Sequence, residues 1–525
     1  METELQSLLS KSPAMLAMGE PTHGEQEFLR RRNELFAVLV ANHGFRSIAI
    51  ESDRVTALAV DDYVRGGAGT LDLVMETGFS HNFGRFEANR ELVEWMRNQP
   101  EPLAFHGFDA PTENTEAPSP RRFLTAVCEY VAPDAWPEID ELLGDDEPWD
   151  EVREAGRSIG ESPRAVRLRG RADDLLSLLY SGAPRLIAES SRAAWRRMEV
   201  FANAAIGMLR YHAEVARPGA DRIARLLSVR DAWMARNLLD IRLLEVDRGP
   251  TLVFAHNRHV QRYPGRMDVG GASAEWAGAG SILSALLGDR YVLITGSLGE
   301  SAGAEVGAPG PGTYEAVLDD GLTVRPSLDA VARPDGSYRY FPLAAEDLAS
   351  TDAILHVAHG TAVVALPAVA LPAGPPADEI ASWIGGLPEV GTVVATEEMG
   401  APQNNWGNSF FSITGDEYHP FATIVLHDMA GFDEESALGR PGVYRVNVHV
   451  GRDEFTRLFG FAPRDLPARR GGYDYAALDV VLPHPQYGPQ GWVCVLNPGT
   501  ERMPEVKRLV ELARDAAAAR VARRG

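Results

Sequence analysis

AMLAMGEPTHGEQEFLRRRNELFAVLVANHGFRSIAIE, residues 14–51, decides the fold class. Ala14 to Met18 is a short apolar run closed by Gly19, and a loop Glu20-Pro21-Thr22-His23-Gly24 follows. Glu25 to Ala41 reads as a helix. Phe45 to Ile50 is a second apolar run, closed by Glu51. Short apolar runs separated by a helix are the signature of parallel strands covered on both faces. The same pattern recurs at Leu103–Phe108, closed by Asp109, at Thr251–Ala255, closed by His256, and at Tyr291–Thr295. The expectation is an α/β fold, a mostly parallel sheet with helices on both faces.

Between residues 111 and 248 the chain is charged and rich in Arg, Ala and Leu. Arg196–Val215 and Asp221–Val246 read as long helices, the second with an apolar stripe through Ile223, Leu226, Leu227, Ala232, Met234, Leu238, Ile241 and Leu244. This stretch is expected to be a helical insertion beside the sheet. PAVALPAGPP, residues 367–376, is small, apolar and Pro-rich without periodicity, and reads as a semi-rigid linker. The expected organisation is therefore a domain over 1–367, a linker over 368–376 and a smaller α+β domain over 377–525. In the latter, helices are expected at 377–387 and 503–519, and strands at 421–426, 443–450 and 492–496.

The chain has 525 residues and a formal net charge of −23, which disfavours binding to nucleic-acid backbones or acidic membranes. The stretch Thr361–Ala373 is too short to span a bilayer and carries Pro367 and Pro372. The N-terminus METELQSLLS lacks the basic and apolar regions of a signal peptide. The two cysteines, Cys128 and Cys494, give neither a disulfide framework nor a cysteine zinc site. A cytoplasmic protein is expected, with oligomeric state unassigned.

Ligands of open parallel sheets bind at the carboxyl ends of the strands. Glu20, His23, Glu51, Asp109 and His256 all follow apolar runs, so their joint occurrence points to one cleft. Taken alone, Asp109 reads as a turn or helix cap. On the first helix Phe28, Leu35, Phe36 and Leu39 share a face with Arg32. A guanidinium there either snorkels to water or meets a carboxylate such as Glu20 or Glu51. His256 and His259 form a His-x-x-His pair that could ligate a metal, one imidazole orienting the other being the alternative. A zinc site would need His23, His256 and Glu20 or Glu51. His356 and His359 read as core or surface residues. There is no Walker A sequence and no dinucleotide fingerprint, so no cofactor is expected and the metal question stays open. A water activated by His or Glu is the economical nucleophile.

MGEPTHGEQEFLRRRNELFAVLVANHGFRSIAIESD resembles the opening of the erythromycin esterase family, and FHGFDAP, FAHNRHV and DAILHVAHGTAVV resemble its later segments in order. The resemblance implies hydrolysis of a macrolactone ester, the substrate being a small macrolide-like ester. It places the family's site residues on Glu20, His23, Arg32, Glu51, His256 and His259. His23 would be the general base, Glu20 or Glu51 its orienting carboxylate and Arg32 the carboxylates' support. His256 would stabilise the oxyanion or protonate the alkoxide, and His259 and Asp109 would contact substrate. Arg258 stands where a smaller residue is expected, implying a narrower or more cationic mouth. The C-terminal segments NNWGNSFF, PFATIVLHDMAGFD, GVYRVNVHVGRDEFTRLFG and LPHPQYGPQGWVCVLNP resemble a family of actinobacterial domains without assigned function. There Tyr444, Val446, Val448 and Val450 alternate with Arg445, Asn447 and His449. The polar face reads as the solvated outside of a half-covered sheet, or else as a ligand surface. Trp406 and Trp492 read as core.

Overall fold

The structure, a computed structural model, describes residues 2–523 except 68, 113–116, 151, 153, 270–271, 326, 335, 337–338, 366–370, 397–398, 400–404, 417, 430–432, 434 and 441. Most of the first half of the expected linker therefore lies outside the described residues. The chain forms two compact units, residues 1–67 with 74–367, and residues 68–73 with 368–525.

Among the described residues the first unit carries nine strands: β1 (Met15–Glu20), β2 (Ser47–Asp53), β3 (Ala104–Asp109), β4 (Thr251–His256), β5 (Gly265–Val269), β6 (Ala272–Trp276), β7 (Tyr291–Ser301), β8 (Gly321–Val324) and β9 (Ala353–Gly360). Seven of them form one sheet in the order β3-β2-β4-β1-β7-β9-β8. Every pairing in it is parallel except that of β8 with β9. β5 and β6 make a separate antiparallel hairpin. All residues of β1, β2, β3 and β4 are buried, as continuous apolar runs in a doubly covered sheet must be. The residues expected to close these runs are the strands' own last residues, Glu20, Asp109 and His256, with Glu51 inside β2. The first helix, Gln26–Asn42, buries Phe28, Leu29, Leu35, Phe36 and Leu39, with Arg32 on the same face.

Between β3 and β4 lies the helical layer, including Arg121–Val131, Pro163–Ser181, Arg192–Ala216 and Arg222–Leu244. Its own core joins Phe123, Leu124, Leu168, Leu175, Trp195 and Met208. The last of these helices also packs on the sheet, where Met234, Leu238 and Ile241 meet Met15, Ala49, Phe108 and Val253.

The second unit holds an antiparallel sheet of β10 (Val390–Val394), β11 (Ser409–Ile413), β12 (Ala422–Val425), β13 (Arg445–His449), β14 (Leu482–Pro483) and β15 (Trp492–Leu496), in the order β10-β11-β12-β13-β15-β14. Helices Ala377–Gly385 and Met503–Ala522 cover the apolar face, where Ile380, Val446, Val448, Val495, Val506 and Leu509 form the core. The opposite face corrects the expectation of a solvated surface: Arg445 and Asn447 are buried. Irregular chain covers them, with Asp433, Ser436 and His484 all hydrogen-bonded to Arg445. Trp406 and Trp492 are half-buried. Both cysteines are buried free thiols. Among the described residues no helix is long and apolar enough to cross a membrane.

Candidate functional site

The strand order sets β3, β2, β4 and β1 side by side, all parallel. Register pairs Glu20 with His256 and Asp53 with Asp109, so the four expected strand ends meet at one edge of the sheet. Gly19 is required there. A Cβ on it would lie 2.1 Å from Oδ1 of Asn257, whose amide spans to Gly296 through bonds of 2.9 and 3.0 Å. The loop after β1 turns at Gly24, with φ of 83°, a conformation glycine adopts without steric cost. It is tied to the strap after β9, where Gln26 N donates to Thr361 O at 2.8 Å and Val363 N to Gly24 O at 3.0 Å. Beside it Ser301 donates to the buried carboxylate of Glu25. The loop and strand ends open onto a cavity of about 620 Å³ lined by His23, Glu51, His81, Arg230, His256 and His259, among others.

His23 is the half-open member of the cluster, its side chain 42% exposed. Its Nδ1 lies 2.8 Å from Oε1 of Glu20 and its Nε2 lies 3.8 Å from Oε1 of Glu51. Burial works against its positive form, yet the charges of Glu51 and Glu20 outweigh it and raise the imidazole pKa. Burial raises the pKa of Glu20, against the pull of His23. Glu51 goes the other way. Burial alone would raise it, but the positive charges of His259 and His23 hold it well below the usual carboxylate range. Its Oε2 accepts the backbone N–H of His256 at 2.8 Å.

His259 sits between two carboxylates, Nδ1 2.8 Å from Asp231 Oδ1 and Nε2 3.3 Å from Glu51 Oε1. Despite burial, Asp231 and Glu51 push its pKa up to about 10, so it is an imidazolium at neutral pH. Asp231 is itself fixed by Trp276 Nε1 at 2.8 Å and the Ala279 N–H at 2.9 Å. The adjacent Arg230 holds Asp109 in a two-point pair of 2.9 and 2.5 Å. Asp109 also takes Nε2 of His81 at 3.0 Å. Burial would raise the Asp109 pKa, but Arg230 and His81 bring it down to about 2. Asp109 therefore departs from its expected role. It is fully buried and stands behind the wall, and the side chains it holds, His81 and Arg230, reach the cavity.

His256 also differs from expectation in how it is engaged. Its Nε2 donates to the Pro21 carbonyl at 3.2 Å, and its Nδ1 accepts the Arg258 N–H at 3.1 Å. The two partners fix one neutral tautomer, and burial with the neighbouring His23 charge holds its pKa well below the usual value. Its ring meets those of His23 and Phe341 edge-on, at 5.2 Å each. Arg32 is buried as its helix position required, but it donates to Asn89 and Asn33, both at 2.8 Å, and lies 4.9 Å from the Phe254 ring. Burial lowers its pKa to about 10, and Glu20 acts on it only across a gap. His356 is buried against Ser297 at 2.9 Å, and His359 is exposed beside Glu300.

A zinc set of His23, His256 and Glu20 or Glu51 does not fit this arrangement, because both ring nitrogens of His256 are engaged by backbone groups. Among the described residues no group of three His, Cys, Asp or Glu side chains is placed to hold a metal ion. The sequence reading missed His81, Arg230 and Asp231. A signal for Asp231 existed: Leu227, Asp231, Met234 and Leu238 fall at i, i+4, i+7 and i+11, a carboxylate within the apolar stripe.

The erythromycin esterase family model matches residues 40–386. The chain belongs to the erythromycin esterase family. That membership supports hydrolase chemistry of the esterase kind. The matched span starts after Glu20, His23 and Arg32. An open-conformation mutant of the erythromycin esterase EreC shares 19% identity with a TM-score of 0.52, covering 70% of this chain and 96% of its own. A Bacillus cereus protein shares 17% identity with a TM-score of 0.50, covering 69% of this chain and 93% of its own. At these identities the likeness is one of fold. Residues 375–525 match a family of unknown function, DUF6194. No curated protein matches the chain.

Proposed function

We propose that this esterase-family member hydrolyses a carboxylic ester or lactone in the cytoplasm, with His23 as general base for a water nucleophile. The observation that carries the reading is the His23–Glu20 contact of 2.8 Å on a ring that is 42% exposed. A carboxylate on Nδ1 fixes the tautomer that leaves Nε2 as the acceptor, and it stabilises the imidazolium formed when Nε2 takes a proton. Glu51, 3.8 Å from Nε2, adds to that stabilisation.

In this mechanism the water oxygen bonds to the acyl carbon and its proton passes to His23. The tetrahedral oxyanion is stabilised by the positive charge of Arg230, which Asp109 holds at the wall. On collapse the C–O bond to the alkoxide breaks. His256, with both nitrogens engaged, is poorly placed to protonate the alkoxide. His81 suits that step better: it lines the cavity with Nε2 on Asp109, and it would pass the proton to the alkoxide. The acid and alcohol leave, and solvent restores both histidines. His259 and Asp231 are positioning residues that keep Glu51 ionised.

The test is incubation with a panel of esters and lactones, starting from macrolactones after the solved relative's name, followed by mass spectrometry. A mass gain of one water on a lactone, abolished by His23→Ala, is the expected result. Turnover that persists in His23→Ala would overturn the assignment of the base. Hydrolysis that stops on chelation and returns on adding metal would replace this mechanism with a metal-dependent one.

A further inference from the structure

The chain carries a net charge of −23, yet the described residues lining its cavity include three arginines, Arg230, Arg258 and Arg339, and a single carboxylate, Glu51. Two of these charges are matched locally: Arg230 is paired with Asp109, and Glu51 with His259. Arg258 is different. It is half-buried, and no carboxylate among the described residues lies within ion-pair distance of it. Its guanidinium sits over the Phe341 ring at 4.5 Å and donates from Nη1 to Gln261 at 3.2 Å, while the buried Nε has no hydrogen-bond partner. Asp347, whose carboxyl the Arg258 charge acts on, is already taken by the Tyr263 hydroxyl at 2.8 Å and the Ala344 N–H at 2.9 Å.

A partly desolvated cation without a counter-ion is costly to keep unless an anion arrives to meet it. The side chain is also held for such a meeting. Phe341 presents its ring to Arg258 while its own N–H donates to the Pro21 carbonyl at 3.1 Å, the same oxygen that His256 uses. From His23, ring contacts of 5.2 Å to His256 and 5.2 Å to Phe341 lead to Arg258. An anion on Arg258 therefore sits several bonds away from a carbonyl attacked at His23.

We propose that the cavity selects an ester bearing a carboxylate remote from the scissile bond, with Arg258 as its recognition residue. The planar guanidinium, stacked on Phe341, offers paired donors suited to a carboxylate. An amino-sugar ester, cationic at neutral pH, would be repelled by the same wall. The inference rests on the hydrolase reading of the His23 cluster.

The test compares three p-nitrophenyl esters of equal chain length whose acyl tails end in carboxylate, methyl or trimethylammonium. The carboxylate ester is expected to be preferred over the methyl ester by about tenfold in kcat/KM, corresponding to about 1.4 kcal/mol, and the ammonium ester to be the poorest. In Arg258→Gln the carboxylate-to-methyl ratio falls to near one, and in Arg258→Lys part of it returns. Equal or faster cleavage of the methyl or ammonium ester, or a ratio unmoved in Arg258→Gln, overturns the proposal while leaving the hydrolase reading intact. If none of the three is cleaved, glutarate binding by calorimetry decides: binding weakened about tenfold in Arg258→Gln supports the anion site, and no binding to the unaltered protein overturns it.

Discussion

Each unit buries an arginine–carboxylate–histidine cluster, and the two are put to different ends. In the first, Arg230, Asp109, His81, Glu51 and His259 support one half-open ring, His23. In the second, Arg445 pairs with Asp433 and meets Ser436 and His484, and all four side chains are closed off from solvent. The residue types are nearly the same. What differs is whether a titratable ring reaches open space. Buried charge with no exposed member ties irregular chain to a sheet, whereas buried charge behind an exposed imidazole tunes it.

The sharpest way to break this contrast is to remove His23. His23→Ala is expected to lower kcat about 10²–10⁴-fold with an unchanged unfolding midpoint; a large stability loss with little kinetic effect would make it a structural residue. Arg445→Met should do the reverse. Leaving Asp433 buried without its partner costs about 3–5 kcal/mol, read from urea unfolding, and the double replacement Arg445→Met with Asp433→Leu should recover much of it.

The third prediction concerns stability and pH. The folded state holds the His259 pKa at about 10, above its ordinary value of 6.5. Its contribution to stability is therefore fully present below pH 6.5 and is lost as pH rises toward about 10. Asp231→Asn should flatten that part of the stability profile, and an unaltered slope would show that Asp231 does not hold the charge. The smallest effect belongs to Glu51→Gln. The base must be neutral to act, so kcat/KM rises with pH through the raised pKa of His23. Removing the Glu51 charge should shift that acid limb toward lower pH, and a limb that stays in place would assign it to another group.

The sheet and half of its site could be read from the sequence because continuous apolar runs mark doubly covered strands and their last polar residues share one edge. Glu20, Glu51 and His256 follow from that rule alone. His81 does not. It lies in a short loop where His81 and Asn82 both have positive φ, 57° and 58°, and no periodicity announces such a turn. Arg230 was hidden among the many charges of a long helix, since a helical repeat gives a face but not what that face meets. The polar side of β13 was misread for a related reason. The chain that covers it is irregular, so alternation along the strand described the face correctly and its surroundings wrongly.

Arg230 and Asp231 ride on Arg222–Leu244, the last helix of the layer between β3 and β4. That helix is consequently the keystone for any attempt to trim or exchange the layer. The outer helices can be recast as cladding, but inserting one residue ahead of Arg230 would turn it about 100° around the helix axis. Such a graft would keep every strand end in place and still strand Asp109 and His259 without their counter-charges.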